Sequence, residues 1–329
     1  MERLLIKILF YGALILFILE GLVRVFHLHK GTPERMIDDR GVEKWVPGQS
    51  GYIATGNRRQ NFAEYRINNF GYNSYREFAP TEDGYEIALI GDSFIEGFHQ
   101  DYDNSIGKKI EDSLPGVEVY EFGYAGYDLA DELHLISAYP ELFDKIDQIV
   151  IFLQYPDDLL RGSFKISKER LKLQEGTYAL LKKSKLLVYL QNIRFLGNMT
   201  GKLNSWKSNL FRQGGGEEKR DQNKEQRLGD LTLHNFKSLL TDPGLKTKKI
   251  SFLVDRKSFP DQFMSYLEKE GISTIDYGEA LEFQQTPVTL IYDMHWNDQG
   301  RKVIAEELIS FIRVHYGILA ENGDILKMK

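Results

Sequence analysis

Apolar residues fill positions 4–26 almost without a break, and Lys7, Glu20 and Arg24 are the only charges among these 23 residues. Wound as a helix rising about 1.5 Å per residue, the stretch is about 34 Å long, close to the thickness of a bilayer's hydrocarbon core. Lys7 lies near one end, where its stem can snorkel. Glu20 and Arg24 are four apart, so they share a face and can pair near the other interface. No small-x-small cleavage site follows the apolar run, and no cysteine offers a lipid anchor. The pattern predicts an uncleaved signal anchor over residues 1–29, with a cleaved signal peptide as the alternative. Arg3 and Lys7 favour an N-terminus inside, whereas Arg24, Lys30 and Arg35 on the other flank weaken that rule.

Residues 30–80 are polar, with glycines and aromatics and no long helical period. Short strands and turns are expected at 45–48 and 51–54, and a turn-bearing lead-in at 67–73. This segment reads as a β-rich apron between anchor and core. From Tyr85 the pattern alternates: apolar runs at 85–89, 117–122 and 148–153 read as buried strands, with helical periods near 105–114 and 128–138 between them. Strands separated in this way imply parallel neighbours. After Asp158 the alternation stops. Residues 164–210 have a helical period rich in Lys and Leu, and 212–227 is a charged stretch holding Gly214-Gly215-Gly216, which reads as a loop. The α/β pattern resumes with a strand at 249–254, a helix at 258–270, a strand at 272–275 and a last helix at 298–316 capped by Asn297 or Asp298. The predicted organisation is an anchor (1–29), a β-rich lead-in (30–80) and one α/β domain (81–329) carrying a helical or flexible insertion at 161–245.

Composition narrows the classes. The net charge of −6 argues against nucleic acid as the main partner. The absence of cysteine excludes disulfides, thiolate metal sites and a cysteine nucleophile. No Walker A motif, Gly-x-Gly-x-x-Gly or His-Glu-x-x-His occurs, so no cofactor is expected and no metal site is assigned. His27 and His29 could bind a metal, but no carboxylate cluster accompanies them, and a role at the membrane interface is favoured.

Two stretches carry chemistry. Gly91-Asp92-Ser93 follows the first predicted strand, where a serine at a strand-to-helix turn can reach substrate; Gly, Asp and Ser are also ordinary turn residues. Asp293-Met294-His295-Trp296-Asn297 stands just before the last helix. On an extended or looped backbone, residues two apart point the same way. Asp293 could then orient the His295 imidazole, and His295 could activate Ser93, since a serine hydroxyl needs an adjacent base. His99, Asp101 and Asp103 lie soon after Ser93 and are expected on a solvated loop. The Leu-rich basic stretch at 180–196 reads as an amphipathic helix packed on the domain, with an anionic membrane surface as the alternative. No Gly-x-Ser-x-Gly elbow is present, which argues against a standard α/β-hydrolase.

Gly91-Asp92-Ser93 with Asp293-x-His295 resembles the SGNH (GDSL) hydrolase family. The lead-in Ile67-Asn68-Asn69-Phe70-Gly71-Tyr72-Asn73-Ser74-Tyr75-Arg76-Glu77 is similar to a stretch found before the Gly-Asp-Ser block in membrane-anchored members. Tyr120-Glu121-Phe122-Gly123-Tyr124-Ala125-Gly126-Tyr127 resembles the family's glycine block. Asp293-Met294-His295-Trp296 is similar to the closing motif of the alginate O-acetyltransferase branch. The resemblance covers roughly residues 65–158 and 249–313 and implies a three-layer α/β/α flavodoxin-like parallel sheet. It implies Ser93 as nucleophile, His295 as base and Asp293 as orienter. The implied oxyanion hole is the Ser93 N–H, the Gly126 N–H and an asparagine of the third block. Here Asp157, in Gln154-Tyr155-Pro156-Asp157-Asp158, stands in place of that asparagine, and an ionised carboxylate cannot donate. The resemblance implies a single-pass protein of the cytoplasmic membrane whose domain faces the periplasm or outside. Its expected activity is hydrolysis of O-acyl, above all acetyl, esters on an envelope glycan or glycolipid. Transfer of the acyl group to a polysaccharide hydroxyl and a catalytically silent glycan-binding or scaffold subunit are the alternatives.

Overall fold

A computed structural model describes residues 1–29, 31–55, 61–81, 83–172, 174, 182–193, 222–241, 245, 249–291, 294–316, 320–321 and 324–325. The chain divides into two compact units: Met1–Glu34, Gly51–Ala63 and Ser167–Lys219 form one, and Arg35–Ser50, Glu64–Ile166 and Arg220–Lys329 form the other.

The first unit is built on helix α1, Glu2–Val25. It is long and apolar enough to cross a membrane. Its apolar side chains, Leu4 to Leu22, are exposed along its length, as a lipid-facing helix requires. The expected Glu20–Arg24 pair forms, with the Arg24 guanidinium 2.7 Å from Glu20. Glu20 does more than pair. Its carboxylate accepts the backbone N–H groups of Lys185 and Leu186, each at 2.8 Å, and the Ser184 hydroxyl at 3.0 Å. These amides begin a helix over Lys185–Asn192 and have no partner within it, so Glu20 satisfies them from outside. Of residues 164–210, positions 164–172, 174 and 182–193 are described, among them a short helical turn, Glu169–Lys172, and the remainder lies outside the described residues. His27 packs its ring 5.6 Å from that of Tyr52, whose other neighbour is Phe62 at 5.0 Å.

The second unit is organised by five strands: β5 (Tyr85–Gly91), β6 (Val117–Gly123), β7 (Gln148–Phe152), β8 (Ile250–Val254) and β9 (Ser273–Asp276). The ribbons before them are β1 (Arg35–Ile37) with β2 (Glu43–Trp45), and β3 (Ser50–Thr55) with β4 (Asn61–Arg66), the last pair divided between the two units. The five strands pair in the order β6-β5-β7-β8-β9, and every pairing is parallel. All residues of β5 and β7 are buried, as expected for strands covered on both faces. Alternate residues serve opposite layers. Ile87 and Leu89 of β5 share a core with Ile106 and Ile110 of α3 (Ile106–Ser113) and with Ile304, Leu308 and Ile312 of the final helix, Asp298–Tyr316. On the other face, Phe252 of β8 meets Phe236 of the helix Gln222–Leu239, which in turn meets Phe263 of the helix Asp261–Glu270. The result is the expected three-layer α/β/α arrangement with flavodoxin-like strand order.

Three details differ from the sequence pattern. Residues 222–227, expected in a charged loop, are the first turns of the helix Gln222–Leu239; its buried Leu233 and Phe236 supply the packing that fixes it. The helix expected from Ser258 begins at Asp261, because Pro260 takes the N-cap and a 3₁₀ turn, Arg256–Ser258, precedes it. Residues 35–50 and 64–80 of the lead-in belong to the same compact unit as the sheet. Asn68 organises their turn: its Oδ1 accepts the N–H groups of Phe70, Gly71 and Tyr72.

Candidate active site

In sheets of this kind, ligands bind beyond the carboxyl ends of the strands where the chain switches direction across the sheet. Here β5 is followed by β6 on one side, and β7 lies on the other. Ser93 stands two residues past Gly91, the end of β5, at the start of the short helix α2, Ser93–Glu96. Asp92 is its N-cap and accepts the Phe94 N–H at 2.8 Å. The helix ends at once because Gly97 takes the left-handed conformation, φ +69°.

His295 comes from a loop held by pairing across it. The Leu290 N–H donates to the His295 carbonyl at 2.9 Å and the Asn297 N–H to the Val288 carbonyl at 3.0 Å. Asn297 caps the last helix by accepting the Gly300 N–H at 2.9 Å, which chooses between the two expected caps. Trp296 is buried against Phe94, Phe152 and Tyr277. With the backbone fixed on both sides, His295 Nε2 lies 2.7 Å from Ser93 Oγ, across 202 positions of sequence. This is the geometry in which an imidazole takes a serine proton. Asp293, the expected orienter, lies outside the described residues.

Two rings press on His295. Phe94 is 4.5 Å away between ring centroids, and His99 is 4.2 Å away with planes 23° apart. His99 was expected on a solvated loop; it is instead buried at 7% exposure. The cause is the left-handed Gly97 and a turn closed by the Gln100 N–H on the Gly97 carbonyl at 3.1 Å, which together fold His99 inward. The simple spacing from Ser93 offered no signal for this.

The acids near Ser93 fall into contrasting environments. Asp157, in place of the family's asparagine, is exposed on a 3₁₀ turn, Asp157–Leu159. Its neighbour Asp158 is buried and accepts the Gln154 N–H at 2.6 Å. Burial, and then the charge of Asp92, push the Asp158 carboxyl up to about 8. Burial likewise raises Asp92 to about 6, against the pull of the Phe94 N–H and of His295. Glu132, fully buried on α4 (Leu129–Ala138), is raised well above the carboxylate range by burial and by Asp158 and Asp92. Neither of its carboxyl oxygens has a hydrogen-bond partner among the described residues. Burial and mutual repulsion thus raise three carboxyls together, Asp92 in the turn that bears Ser93, Asp158 and Glu132.

Gly126, the expected second oxyanion donor, is exposed in the loop after β6 with φ +92°. That loop is tied to the turn bearing Ser93 at two points. The Tyr124 N–H donates to the Gly91 carbonyl at 3.0 Å, and the Ala125 N–H to Glu96 Oε1 at 3.0 Å. Just before them, Gly123 lies so close to α2 that a Cβ there would sit 1.9 Å from the Glu96 nitrogen. Glu121 is buried and accepts the Gly107 N–H at 2.9 Å; burial raises its carboxyl to about 7. Among the described residues no group of three His, Cys, Asp or Glu is arranged to hold a metal ion.

No family model and no curated protein matches the chain. Solved structures similar to it include proteins described as G-D-S-L-family lipolytic proteins, lipases and esterases. One is a member of the lipolytic protein G-D-S-L family from Veillonella parvula, 13% identical, covering 68% of this chain and 96% of that one at a TM-score of 0.36. A lipase/acylhydrolase from Enterococcus faecalis is 12% identical over 70% of this chain and 95% of that one, TM-score 0.38. The psychrotrophic esterase EstA from Pseudoalteromonas is 10% identical over 70% and 97%, TM-score 0.39. Likenesses this distant add no weight to the strand order and the Ser93–His295 pair, which stand on their own.

Proposed function

We propose that the chain is a membrane-anchored SGNH-type serine esterase acting on O-acyl, above all acetyl, esters of an envelope glycan or glycolipid. The observation that carries the reading is the 2.7 Å approach of His295 Nε2 to Ser93 Oγ at the carboxyl end of a central parallel strand. Ser93 Oγ attacks the ester carbonyl, an Oγ–C bond forms, and His295 takes the hydroxyl proton. His295 returns that proton to the departing alkoxide as the ester C–O bond breaks. Water then attacks the acyl-enzyme, the Oγ–C bond breaks, and the acid is released. Asp293 orients the imidazole, and the N–H groups of Ser93 and Gly126 receive the developing oxyanion, each such donor contributing about 3–4 kcal/mol to the transition state. Asp157, exposed on its 3₁₀ turn, supplies no donor while ionised. The apolar helix α1 supports a location in the cytoplasmic membrane, with the catalytic unit outside. Transfer to a sugar hydroxyl in place of water uses the same acyl-enzyme.

The test is turnover of p-nitrophenyl acetate by the full-length chain in detergent, with and without oligosaccharide acceptors. Hydrolysis that falls by about a thousandfold or more in Ser93→Ala and in His295→Ala supports the reading. Acceptor acetylation outrunning hydrolysis would replace esterase with transferase, and turnover untouched by both substitutions would remove Ser93 from the chemistry.

A further inference from the structure

The esterase reading leaves unused a carboxyl buried directly beside the site. Glu96 is the last residue of α2, one turn after Ser93, and only 3% exposed. Burying a carboxyl is costly unless its oxygens are bonded. Glu96 Oε1 accepts two N–H groups, the Trp45 indole Nε1–H at 2.9 Å and the Ala125 backbone N–H at 3.0 Å. Ala125 is the residue immediately before Gly126. The Glu96 main chain is held as well, its carbonyl accepting from Asn73 Nδ2 at 2.9 Å.

Trp45 is in turn fixed. It is 1% exposed, with the Tyr124 ring 4.9 Å and the Phe98 ring 5.4 Å from it and the Arg35 guanidinium 4.6 Å from its ring centre. Arg35 also donates to the Tyr124 hydroxyl at 3.0 Å. The turn bearing Ser93 is therefore bonded to the glycine loop before the nucleophile, through Gly91 and Tyr124, and after it, through Glu96 and Ala125. Displacing a reacting or stabilising group by about 1 Å is enough to cost about a hundredfold in rate, so a loop that must present one N–H benefits from being pinned.

We infer that Trp45 and Glu96 are positioning residues for acyl transfer at Ser93: the Trp45 indole orients Glu96, and Glu96 holds the Ala125 amide so that the Gly126 N–H stays aimed at the oxyanion. The inference rests on the esterase reading above. It also gives the β-rich lead-in a part in the chemistry, since Trp45 ends strand β2.

The experiment uses the full-length chain in detergent and compares p-nitrophenyl acetate with its thionoacetate analogue. The thiono sulfur is a weak hydrogen-bond acceptor, so the oxo-to-thiono ratio of kcat/KM reports on the oxyanion donors in particular. Glu96→Leu should lower kcat by about thirtyfold or more with KM within about threefold, and should lower the oxo-to-thiono ratio by about tenfold. Trp45→Phe, which keeps a ring in place and removes only the indole N–H, should shift both readings in the same direction by about fivefold. Glu96→Gln, which keeps an acceptor oxygen for both donors, should remain within about threefold of the parent in both. An unchanged oxo-to-thiono ratio in Trp45→Phe, or a rise in KM in place of the fall in kcat, would overturn the inference and leave the pair a structural role. Glu96→Gln as impaired as Glu96→Leu would overturn it as well. A parent chain that turns over neither ester would instead overturn the esterase reading, and this inference with it.

Discussion

Replacing Asp158 with asparagine should raise the stability of the protein at alkaline pH and leave it nearly unchanged near pH 4. The ordinary aspartate value is 3.8, and burial with the neighbouring Asp92 pushes the folded-state value to about 8. Below pH 4 the group is protonated whether the chain is folded or not. Between about pH 4 and 8 the unfolded chain has released the proton and the folded chain has kept it. The folded state then binds more protons, so stability falls as pH rises through that window. Above pH 8 both states are ionised and the full penalty applies. Each tenfold difference in proton affinity is worth about 1.4 kcal/mol, so the penalty is on the order of a few kcal/mol, a large share of the ~5–15 kcal/mol that holds a domain together. Asparagine has the same shape and keeps an oxygen to accept the Gln154 N–H, so the turn after β7 is retained. The assay is urea unfolding of the full-length chain in detergent at pH 4, 6 and 9, followed by the fluorescence of the buried Trp45 and Trp296. The parent should lose stability from pH 4 to pH 9, and Asp158→Asn should lose markedly less. A parent that becomes more stable toward pH 9, or an asparagine variant weaker than the parent there, would refute the reasoning.

Other perturbations have equally definite outcomes. Gly123→Ala forces a Cβ onto the backbone of α2, 1.9 Å from the Glu96 nitrogen, and should cost about 3 kcal/mol or more, seen as loss of cooperative unfolding or of folded protein on purification. His99→Phe keeps a ring against His295 and should hold kcat within about threefold, whereas His99→Ala frees the imidazole to turn from Ser93 and should lower kcat by about tenfold. Glu20→Gln leaves the helix Lys185–Asn192 with a weaker cap and should speed hydrogen exchange at Lys185 and Leu186 by about tenfold, with the catalytic unit's amides unaffected.

Continuous apolar runs made the strands of the sheet legible, because a strand covered on both faces needs Val, Ile, Leu or Phe at nearly every position. The runs 85–89, 117–122 and 148–153 became β5, β6 and β7 to within two residues at either end. Ser93 and His295 are legible as a pair in the sequence because each stands in a distinctive block beside a helix start. What local pattern could not show was contact at long range. Nothing near Trp45 in sequence points to Glu96, 51 residues away, yet the bond between them ties the lead-in to the nucleophile helix. His99 reads as solvated beside Asp101 and Asp103; the turn at Gly97 decides its direction. Asp157 and Asp158 are chemically identical in the sequence, and only the 3₁₀ turn leaves one exposed and buries the other. The helix Gln222–Leu239 begins with Gln-Asn-Lys-Glu-Gln-Arg, whose polarity reads as loop until Leu233 and Phe236 find their partners.

The central claim, that Ser93 is a nucleophile activated by His295, is tested most directly by treating the full-length chain with a fluorophosphonate and locating the adduct by peptide mass spectrometry. The account predicts one adduct, on Ser93, absent in Ser93→Ala and slowed by about a hundredfold or more in His295→Ala. A chain that is folded and takes no label, or that carries the adduct on another residue, would contradict it.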